Sequence, residues 1–383
     1  MNFSWPPEYI SYRQSVSDFA STTLAKGAFD RDQHQKFPAD LWQKCADFGI
    51  QALSVTEEYG GPFPKVDLLR AMLAMEGLGY GCPDNGLAFG LNAQMWTVQV
   101  PINEFGSDAQ KQKYLPAMVS GKIIGAHALT EPQSGSDVYS MQLTATANES
   151  GFLLNGKKHL ITLAPACDVV LVFATTNPKL KQWGITAFLI DKNTPGFTIS
   201  EKQNKMGMRA IPIGELNFDN CQLPAAALLG KVGMGFSILN HSLEYDRCCI
   251  LASQLGAMQR QLEKTVDYAK SRQQFGQSIG KFQSVSNRIV DMKLRLETAR
   301  LLLYKTAWLK QEGKNATMES ALLKLYLSEA FVSSSLDAMR TFGGISYLSD
   351  HEVERDVRDA IGGILYAGTS DIQRNIVAKM MGL

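Results

Sequence analysis

Through the first third of the chain apolar residues recur every three or four positions, as in Leu41, Cys45, Phe48 and again in Leu68, Met72, Met75, Leu78. That spacing gathers them on one helix face, so the pattern predicts helices from about Tyr9 to Ser120, broken at Gly60, Gly61 and Pro62. From about Gly121 to Pro224 the texture changes to short β-rich runs: Leu143 to Ala147, Phe152 to Leu154, His159 to Thr162, Val169 to Ala174, Ile185 to Ile190 and Glu215 to Phe218. Asn155-Gly156, between two of these runs, predicts a two-residue hairpin turn, because both central positions of such a turn favour positive φ. The middle segment therefore reads as an antiparallel β domain. Helical spacing returns from about Val232, clearest in Ile289, Met292, Leu296, Ala299, Leu303 and Ala307. Leu294, Leu301 and Trp308 lie off that stripe, so this helix is apolar on more than one side and belongs inside a bundle or at a contact between subunits. The order is α, β, α, with predicted boundaries at 1–120, 121–230 and 231–383.

A chain of 383 residues, 45% hydrophobic and 20% charged, has material for a large core and more than one domain. Its net charge of +1 provides no global field toward nucleic acid or an anionic membrane, so neither is an expected partner. An anionic ligand must then be held by local groups. The stretch Met1 to Gln14 has no basic segment leading into an apolar run, and no long uncharged apolar run occurs anywhere. This predicts a soluble, cytoplasmic protein. Six cysteines (Cys45, Cys82, Cys167, Cys221, Cys248, Cys249) form no Cys-x-x-Cys pair and no ligand spacing with the five histidines. They read as reduced structural residues, and no metal is expected.

Four segments offer chemistry. His127-Ala-Leu-Thr-Glu-Pro-Gln-Ser-Gly-Ser-Asp137 joins a predicted strand to a loop that can aim backbone N–H groups and the Ser134 and Ser136 hydroxyls at one anion. On turn chemistry alone it reads equally as a surface turn. Arg272-Gln-Gln-Phe-Gly-Gln-Ser-Ile-Gly-Lys-Phe-Gln283 offers a guanidinium suited to pyrophosphate, or else is an interhelical loop with a solvated arginine. In Arg340-Thr-Phe-Gly-Gly344 the glycines allow close backbone approach to a ligand or to another helix. Tyr366-Ala-Gly-Thr-Ser-Asp-Ile-Gln-Arg374 places another glycine at a helix boundary. The chain has no G-x-G-x-x-G, Walker A or G-x-S-x-G, so a Rossmann site, a P-loop and a hydrolase elbow lack their signatures. His241 on a predicted helix reads as a partly buried polar residue.

Leu129-Thr-Glu-Pro-x-Ser-Gly-Ser-Asp137, Asn155-Gly-x-Lys158, Lys205-Met-Gly-Met-Arg209, Glu215-Leu-x-Phe-Asp219, Arg272-x-x-Phe-Gly276, Phe342-Gly-Gly344 and Gly368-Thr-Ser-x-Ile-Gln-Arg374 follow one another along the chain. In this order they resemble the acyl-CoA dehydrogenase family over essentially the whole length. The resemblance implies a helical N-terminal domain, a middle β domain and a C-terminal four-helix bundle, with FAD between domains and a homotetramer as the assembly. Carried over by position, His127, Leu129, Thr130, Gly135 and Ser136 line the flavin and its pyrophosphate, with Leu160 and Thr162 on the ring. Arg272, Gln274, Phe275 and Gln283, with Arg340, Gly343 and Gly344, meet the adenine half across a subunit contact. Thr369 and Asp371 complete the cofactor site. Ser136, Glu244, Arg247 and Gly368 are the implied substrate contacts.

The departures from the family pattern are specific. Most members carry a glutamate as α-proton base between the residues here numbered Tyr366 and Gly368, where this chain has Ala367. A minority carry the base on the helix opening the C-terminal domain, immediately before an arginine; here that stretch is Leu243-Glu-Tyr-Asp-Arg247. The family register points to Asp246, while the longer reach of Glu244 makes it the first choice and Asp246 the second. Leu160 replaces a tryptophan that usually flanks the ring, and His127 stands where an aromatic residue is common. A protonated His127 would stabilise superoxide or peroxide charge, which points to oxygen as acceptor. Within the family the chain is similar to the prolyl-carrier-protein oxidases and dehydrogenases of anatoxin-type and prodigiosin-type pathways. The expected substrate is then a prolyl or acyl thioester on an acyl carrier protein, or a CoA ester. The alternatives are a short- or branched-chain acyl-CoA dehydrogenase serving an electron-transferring flavoprotein, a flavin monooxygenase, and a non-catalytic binding or scaffold protein.

Overall fold

The computed structural model describes residues 4–383; Met1 to Phe3, the start of the N-terminal stretch read above, lie outside the described residues. The helical spacing of the first third forms α1 (Pro7–Phe19), α2 (Ala28–His34), α3 (Ala39–Phe48), α4 (Leu68–Gly81), α5 (Asn85–Gln94), α6 (Val100–Phe105) and α7 (Asp108–Val119). Three of these start on side-chain caps: Asp67, Asp84 and Ser107 accept from the backbone N–H groups of Arg70, Leu87 and Gln110. The caps satisfy first-turn donors that have no partner within the helix.

The middle of the chain forms β1 (Gly125–Ala128), β2 (Thr144–Asn148), β3 (Gly151–Thr162), β4 (Val169–Thr175), β5 (Ile185–Asp191), β6 (Phe197–Ile199), β7 (Ile213–Leu223) and β8 (Leu228–Leu229). They make one sheet in the order β6-β7-β3-β2-β4-β5-β8, with β1 beside β4. Most pairings are antiparallel, but β1 runs parallel to β4, and β2 meets the end of β4 in parallel through Thr144 and Thr175. Two expectations are corrected. The runs Phe152 to Leu154 and His159 to Thr162 belong to the single strand β3, and the hairpin that joins β2 to β3 turns at Glu149-Ser150, between the paired residues Asn148 and Gly151. Gly156 does adopt φ +138°, but at a register shift where β3 bulges against β7. A bulge and a turn make the same demand for positive φ, so the dipeptide alone does not tell them apart.

Strand β4 is buried along its whole length. Val170, Val172 and Ala174 join the larger apolar core, which continues into the helices on both sides, whereas Val169, Leu171 and Phe173 join a second cluster with Val98, Leu115, Ile238 and Leu239. A strand covered on both faces reads as a continuous apolar run rather than an alternating one, as Val-Val-Leu-Val-Phe-Ala does here.

The last part of the chain forms α8 (Gly235–Cys249), α9 (Ala252–Ser271), a small ribbon of β9 (Gln273–Gln274) and β10 (Gln277–Ser278), α10 (Gln283–Gln311), α11 (Thr317–Phe342), α12 (Glu352–Gly363) and α13 (Ser370–Met380). On α10, Met292, Leu296, Ala299, Leu303 and Ala307 are buried, while Val290, Leu294, Leu301 and Trp308 face outward. No helix among the described residues is long and apolar enough to cross a membrane.

The N-terminal helices join the C-terminal ones where α4 crosses α9. A Cβ on Gly79 would lie 1.8 Å from the Ser253 carbonyl oxygen, and one on Gly256 would lie 1.9 Å from that of Glu76. Both obstacles are backbone, which cannot rotate away. Gly256→Ala is therefore expected to destabilise the protein by about 1–3 kcal/mol, the usual cost of overpacking a close crossing. Chemical denaturation monitored by circular dichroism checks this, and an unchanged midpoint would mean that the crossing is looser than described.

Candidate active site

The serine-rich loop is anchored by a buried ion pair. Lys158 Nζ on β3 lies 2.8 Å from Glu131 Oε1, and both side chains are buried. Lys158 also donates to the Leu129 carbonyl at 2.8 Å. The Glu131 carboxylate further accepts from Leu143 N–H at 3.0 Å and from Gln142 N–H at 2.5 Å. The His159 N–H donates to Thr130 O at 2.8 Å, tying the same loop to β3. Burial holds the Lys158 pKa down at about 8 despite Glu131. Two motif residues read only as family markers, Glu131 and Lys158, thus form one device. Around it the structure gathers His127 on β1, Leu129, Thr130, Gly135 and Ser136 in the loop, and Leu160 and Thr162 near the end of β3. Gly135 and Ser136 are exposed, and a Cβ on Gly135 would meet nothing within 4 Å. Leu160 sits in the left-handed region at φ +56° at the second β3 bulge and is 53% exposed.

His127 departs from expectation. Its ring stands 5.3 Å from that of Phe173, and its Nε2 is buried without a partner. Burial, reinforced by the Lys158 charge, lowers its pKa to about 4. In the protein alone the ring is therefore neutral at physiological pH, which runs against the protonated form considered above.

The two candidate carboxylates occupy different environments on α8. Successive helical residues turn by about 100°, so positions two apart face nearly opposite ways. Glu244 pairs with Lys310 at 3.1 Å, and the same ammonium lies 4.0 Å from the Tyr245 ring centroid. Asp246 is buried, and its Oδ1 has no hydrogen-bond partner. Burial raises its pKa to about 7 against the opposing pull of Arg247 and Lys324. Lys324, fully buried with an unpartnered Nζ, is held down to about 8 by burial. The sequence reading missed it, although a single lysine in the apolar run Ala321-Leu-Leu-Lys-Leu-Tyr-Leu327 was a legible signal. Asp246 also acts on Tyr366, whose hydroxyl accepts from Gln254 Nε2 at 2.8 Å. Ala367 and Gly368 follow with φ +56° and +82°. Gln373, also overlooked, clamps that turn by donating to both of their carbonyls at 3.0 Å. Arg247 is partly buried beside Tyr139 and Glu244, with an unpartnered Nε. His241 packs edge-on against Phe105 at 5.2 Å, as a partly buried polar residue.

A second group of expected cofactor residues gathers elsewhere. Arg272 closes α9, Gln274 ends β9, Phe275 lies in the turn between β9 and β10, and Gln283 opens α10. Arg340, Gly343 and Gly344 end α11 near the same place, because Tyr268 on α9 stacks on Phe342 at 4.3 Å. Phe275 is 93% exposed at φ +52°, and Arg340 is tethered to Asp337 at 2.9 Å. Among the described residues no hydrogen bond joins this group to the loop at Glu131. Thr369 caps α13 by accepting from Ile372 N–H, and Asp371 pairs with Arg374 at 3.2 Å on the surface.

This α-β-α arrangement, with its clasped serine loop and its acid-bearing α8, defines a class, and family models agree. The chain belongs to the acyl-CoA dehydrogenase family: the N-terminal domain matches residues 6–122, the middle domain 126–221 and the C-terminal domain 233–382. Among particular relatives, it is 40% identical to the L-prolyl-[peptidyl-carrier protein] dehydrogenase of Serratia sp., covering 100% of this chain and 99% of that one. It is similar to the crystal structure of the prolyl acyl carrier protein oxidase AnaB, with TM-score 0.97, 45% identity and coverage of 99% of this chain and 100% of that one. The structure of PigA with FAD and proline matches with TM-score 0.97 and 40% identity over 100% of both chains.

Lys158→Met is expected to cost about 3–5 kcal/mol, because it strands the Glu131 charge in the interior. The double change Glu131→Leu with Lys158→Met should cost less than the single one. Urea unfolding of both variants measures the difference, and equal stabilities of Lys158→Met and wild type would remove the clasp from the account.

Proposed function

We propose that the protein binds FAD and removes two hydrogens from an aminoacyl group, foremost prolyl, presented as a thioester on a carrier protein. The residues present fit the cofactor: an open glycine-serine loop can take a pyrophosphate, Leu160 offers an apolar surface beside it, and a buried polar atom of His127 lacks a partner. Gly135, Ser136, Leu160 and Thr162 would hold the flavin half, and the ribbon with Arg340 to Gly344 would meet the adenine half of a neighbouring subunit's cofactor. FAD, when bound, accepts the hydride. The names of the Serratia relative, AnaB and PigA favour the prolyl carrier thioester over a CoA ester.

One observation carries the catalytic reading: Asp246 is a buried carboxylate with an unsatisfied oxygen and a pKa near neutrality, beside the turn where Ala367 leaves no base. We therefore assign proton abstraction to Asp246 in preference to Glu244, whose carboxylate is engaged by Lys310. A base with pKa near the working pH combines a useful ionised fraction with enough basicity to take the proton. Arg247 and Lys324 hold the carboxylate partly ionised, and the neutral Ala367 keeps a second negative charge away from it. Oxygen as acceptor now rests on the open space at Leu160 alone, since His127 is neutral. The outward apolar row of α10 supports a homotetramer, and six free, buried cysteines suit a reducing cytoplasm.

Anaerobic stopped-flow mixing with prolyl-carrier protein tests the assignment. Asp246→Asn should keep its FAD and slow flavin bleaching by roughly a hundredfold or more, the usual worth of a general base. Glu244→Gln should bleach within a fewfold of wild type. Because the ionised form of Asp246 is the base and burial raises its pKa, wild-type bleaching should speed up as pH rises through about 7 and then level off. The reverse ranking of the two variants would return the role to Glu244, and near-normal bleaching by both would end the carboxylate mechanism.

A further inference from the structure

An apolar patch is open at the N-terminal end of α8. Trp183 is 59% exposed, and Leu180, Val232 and Tyr139 are exposed beside it. The patch is built rather than incidental. Phe236 on the first turn of α8 meets the Tyr139 ring edge-on at 5.6 Å and the Trp183 ring at 5.3 Å. The loop carrying Val232 packs on the same segment, since a Cβ on Gly233 would lie 3.1 Å from the Trp183 carbonyl oxygen. Gly233 N–H also donates to Thr186 Oγ1 at 3.0 Å.

Its rim is mainly basic. Lys179, Lys181 and Lys231 are exposed, and neither 177–184 nor 230–243 contains an acidic residue. Among the described residues Asp137, which accepts from the Ser140 hydroxyl, is the one carboxylate that acts on Tyr139, set against these three lysines. In a chain of net charge +1 this is a local concentration of positive charge around an aromatic centre. An aromatic core with a charged rim is the anatomy of a protein-docking surface, and the sign of the rim selects an acidic partner.

The patch is continuous with the candidate site. Tyr139 interacts electrostatically with Arg247, the neighbour of Asp246. Phe236 and Arg247 are on one helix, about 16 Å apart along its axis at 1.5 Å per residue. A ligand tethered to a partner seated on Trp183 would need an arm of about that length to reach the carboxylate, and a pantetheine arm is an extended chain suited to it.

We propose that the surface formed by Trp183, Leu180, Val232 and Tyr139, rimmed by Lys179, Lys181 and Lys231, docks the acidic carrier protein that delivers the thioester. The inference rests on the carrier-thioester reading above and adds where the carrier binds. Carboxylates of the carrier meet the lysines, an apolar side chain packs on Trp183, and the arm follows α8 inward.

The test compares two substrates on FAD-loaded enzyme: prolyl-carrier protein, and prolyl-N-acetylcysteamine thioester, which has no protein to dock. Trp183→Ala and the charge reversal Lys179→Glu with Lys181→Glu should each raise KM for the carrier substrate by about tenfold or more, as loss of an anchoring contact does. In both variants kcat and all constants for the small thioester should stay within about twofold, since no docking contact is lost there. Added salt should raise the wild-type KM for the carrier substrate and affect the charge-reversed enzyme less. An unchanged KM for the carrier substrate in the charge-reversed enzyme overturns the proposal, and so does an equal loss on both substrates. Failure of the wild type to oxidise either thioester removes the underlying reading and this one with it, and is recognised without any variant.

Discussion

The buried pair Glu131–Lys158 is the constraint on which the candidate site depends. Taking two charges out of water is expensive, and their attraction offsets that only if the remaining hydrogen-bonding capacity is also used. Here it is used: Lys158 reaches both Glu131 and the Leu129 carbonyl, and the carboxylate takes two backbone N–H groups from Gln142 and Leu143. Residues at both ends of the loop therefore converge on one ion pair, Leu129 through Lys158 and Gln142 and Leu143 through Glu131. The segment between them is closed whatever it carries at its tip, so Gly135 and Ser136 can stay open to a ligand without the loop losing its place. Burial lowers the pKa of His127, and the Lys158 charge adds to that effect, so the anchor contributes to keeping the ring neutral.

Helix α8 makes a second division. Two carboxylates only two residues apart meet opposite surroundings, one neutralised by Lys310 and the other buried with its charge only partly balanced. On the proposed assignment, environment rather than residue type separates their roles, as in other sites where paired acids take different parts. The turn at Ala367 is held through backbone carbonyls by Gln373, so its shape does not depend on the side chain at 367. Loss of an acid there can leave the frame intact while the chemistry moves to the facing helix.

Much of this was legible in the sequence, for identifiable reasons. The stripe on α10 and the continuous apolar run of β4 follow from periodicity and burial alone. The order of the motifs carried the family, and with it the α-β-α fold. Asn155-Gly156 misled because a requirement for positive φ does not say whether the chain turns back or merely bulges. The parallel β1 was invisible, since its partner β4 is distant in sequence and pairing of that kind leaves no local mark. His127 could be placed but its charge could not, because the pKa is set by Phe173, Lys158 and exclusion of water, which only the folded chain brings together. The preference for Glu244 came from side-chain length, a local property, and the structure adds the Lys310 contact that no local argument contains.

The motifs also separate by whether one chain gives them a purpose. Glu131 and Lys158 satisfy each other, Gln373 clamps a turn, and Gly207 permits close packing on α12, where a Cβ would lie 2.3 Å from the Arg358 carbonyl oxygen. Each identity is explained by an internal contact. Phe275, Gly343 and Gly344 are less enclosed: the ring is almost fully exposed with an edge contact to Phe282 at 6.0 Å, and a Cβ on either glycine would meet nothing within 4 Å. Gly343 nonetheless holds φ +70° and ψ −147°, a conformation that side chains other than hydrogen rarely tolerate. Glycine adopts it without strain, and it ends α11, where the Gly343 N–H donates to Met339 O. An exposed ring and an open Gly344 backbone add little to the packing of this chain, which suits their proposed place against a cofactor or a neighbouring subunit.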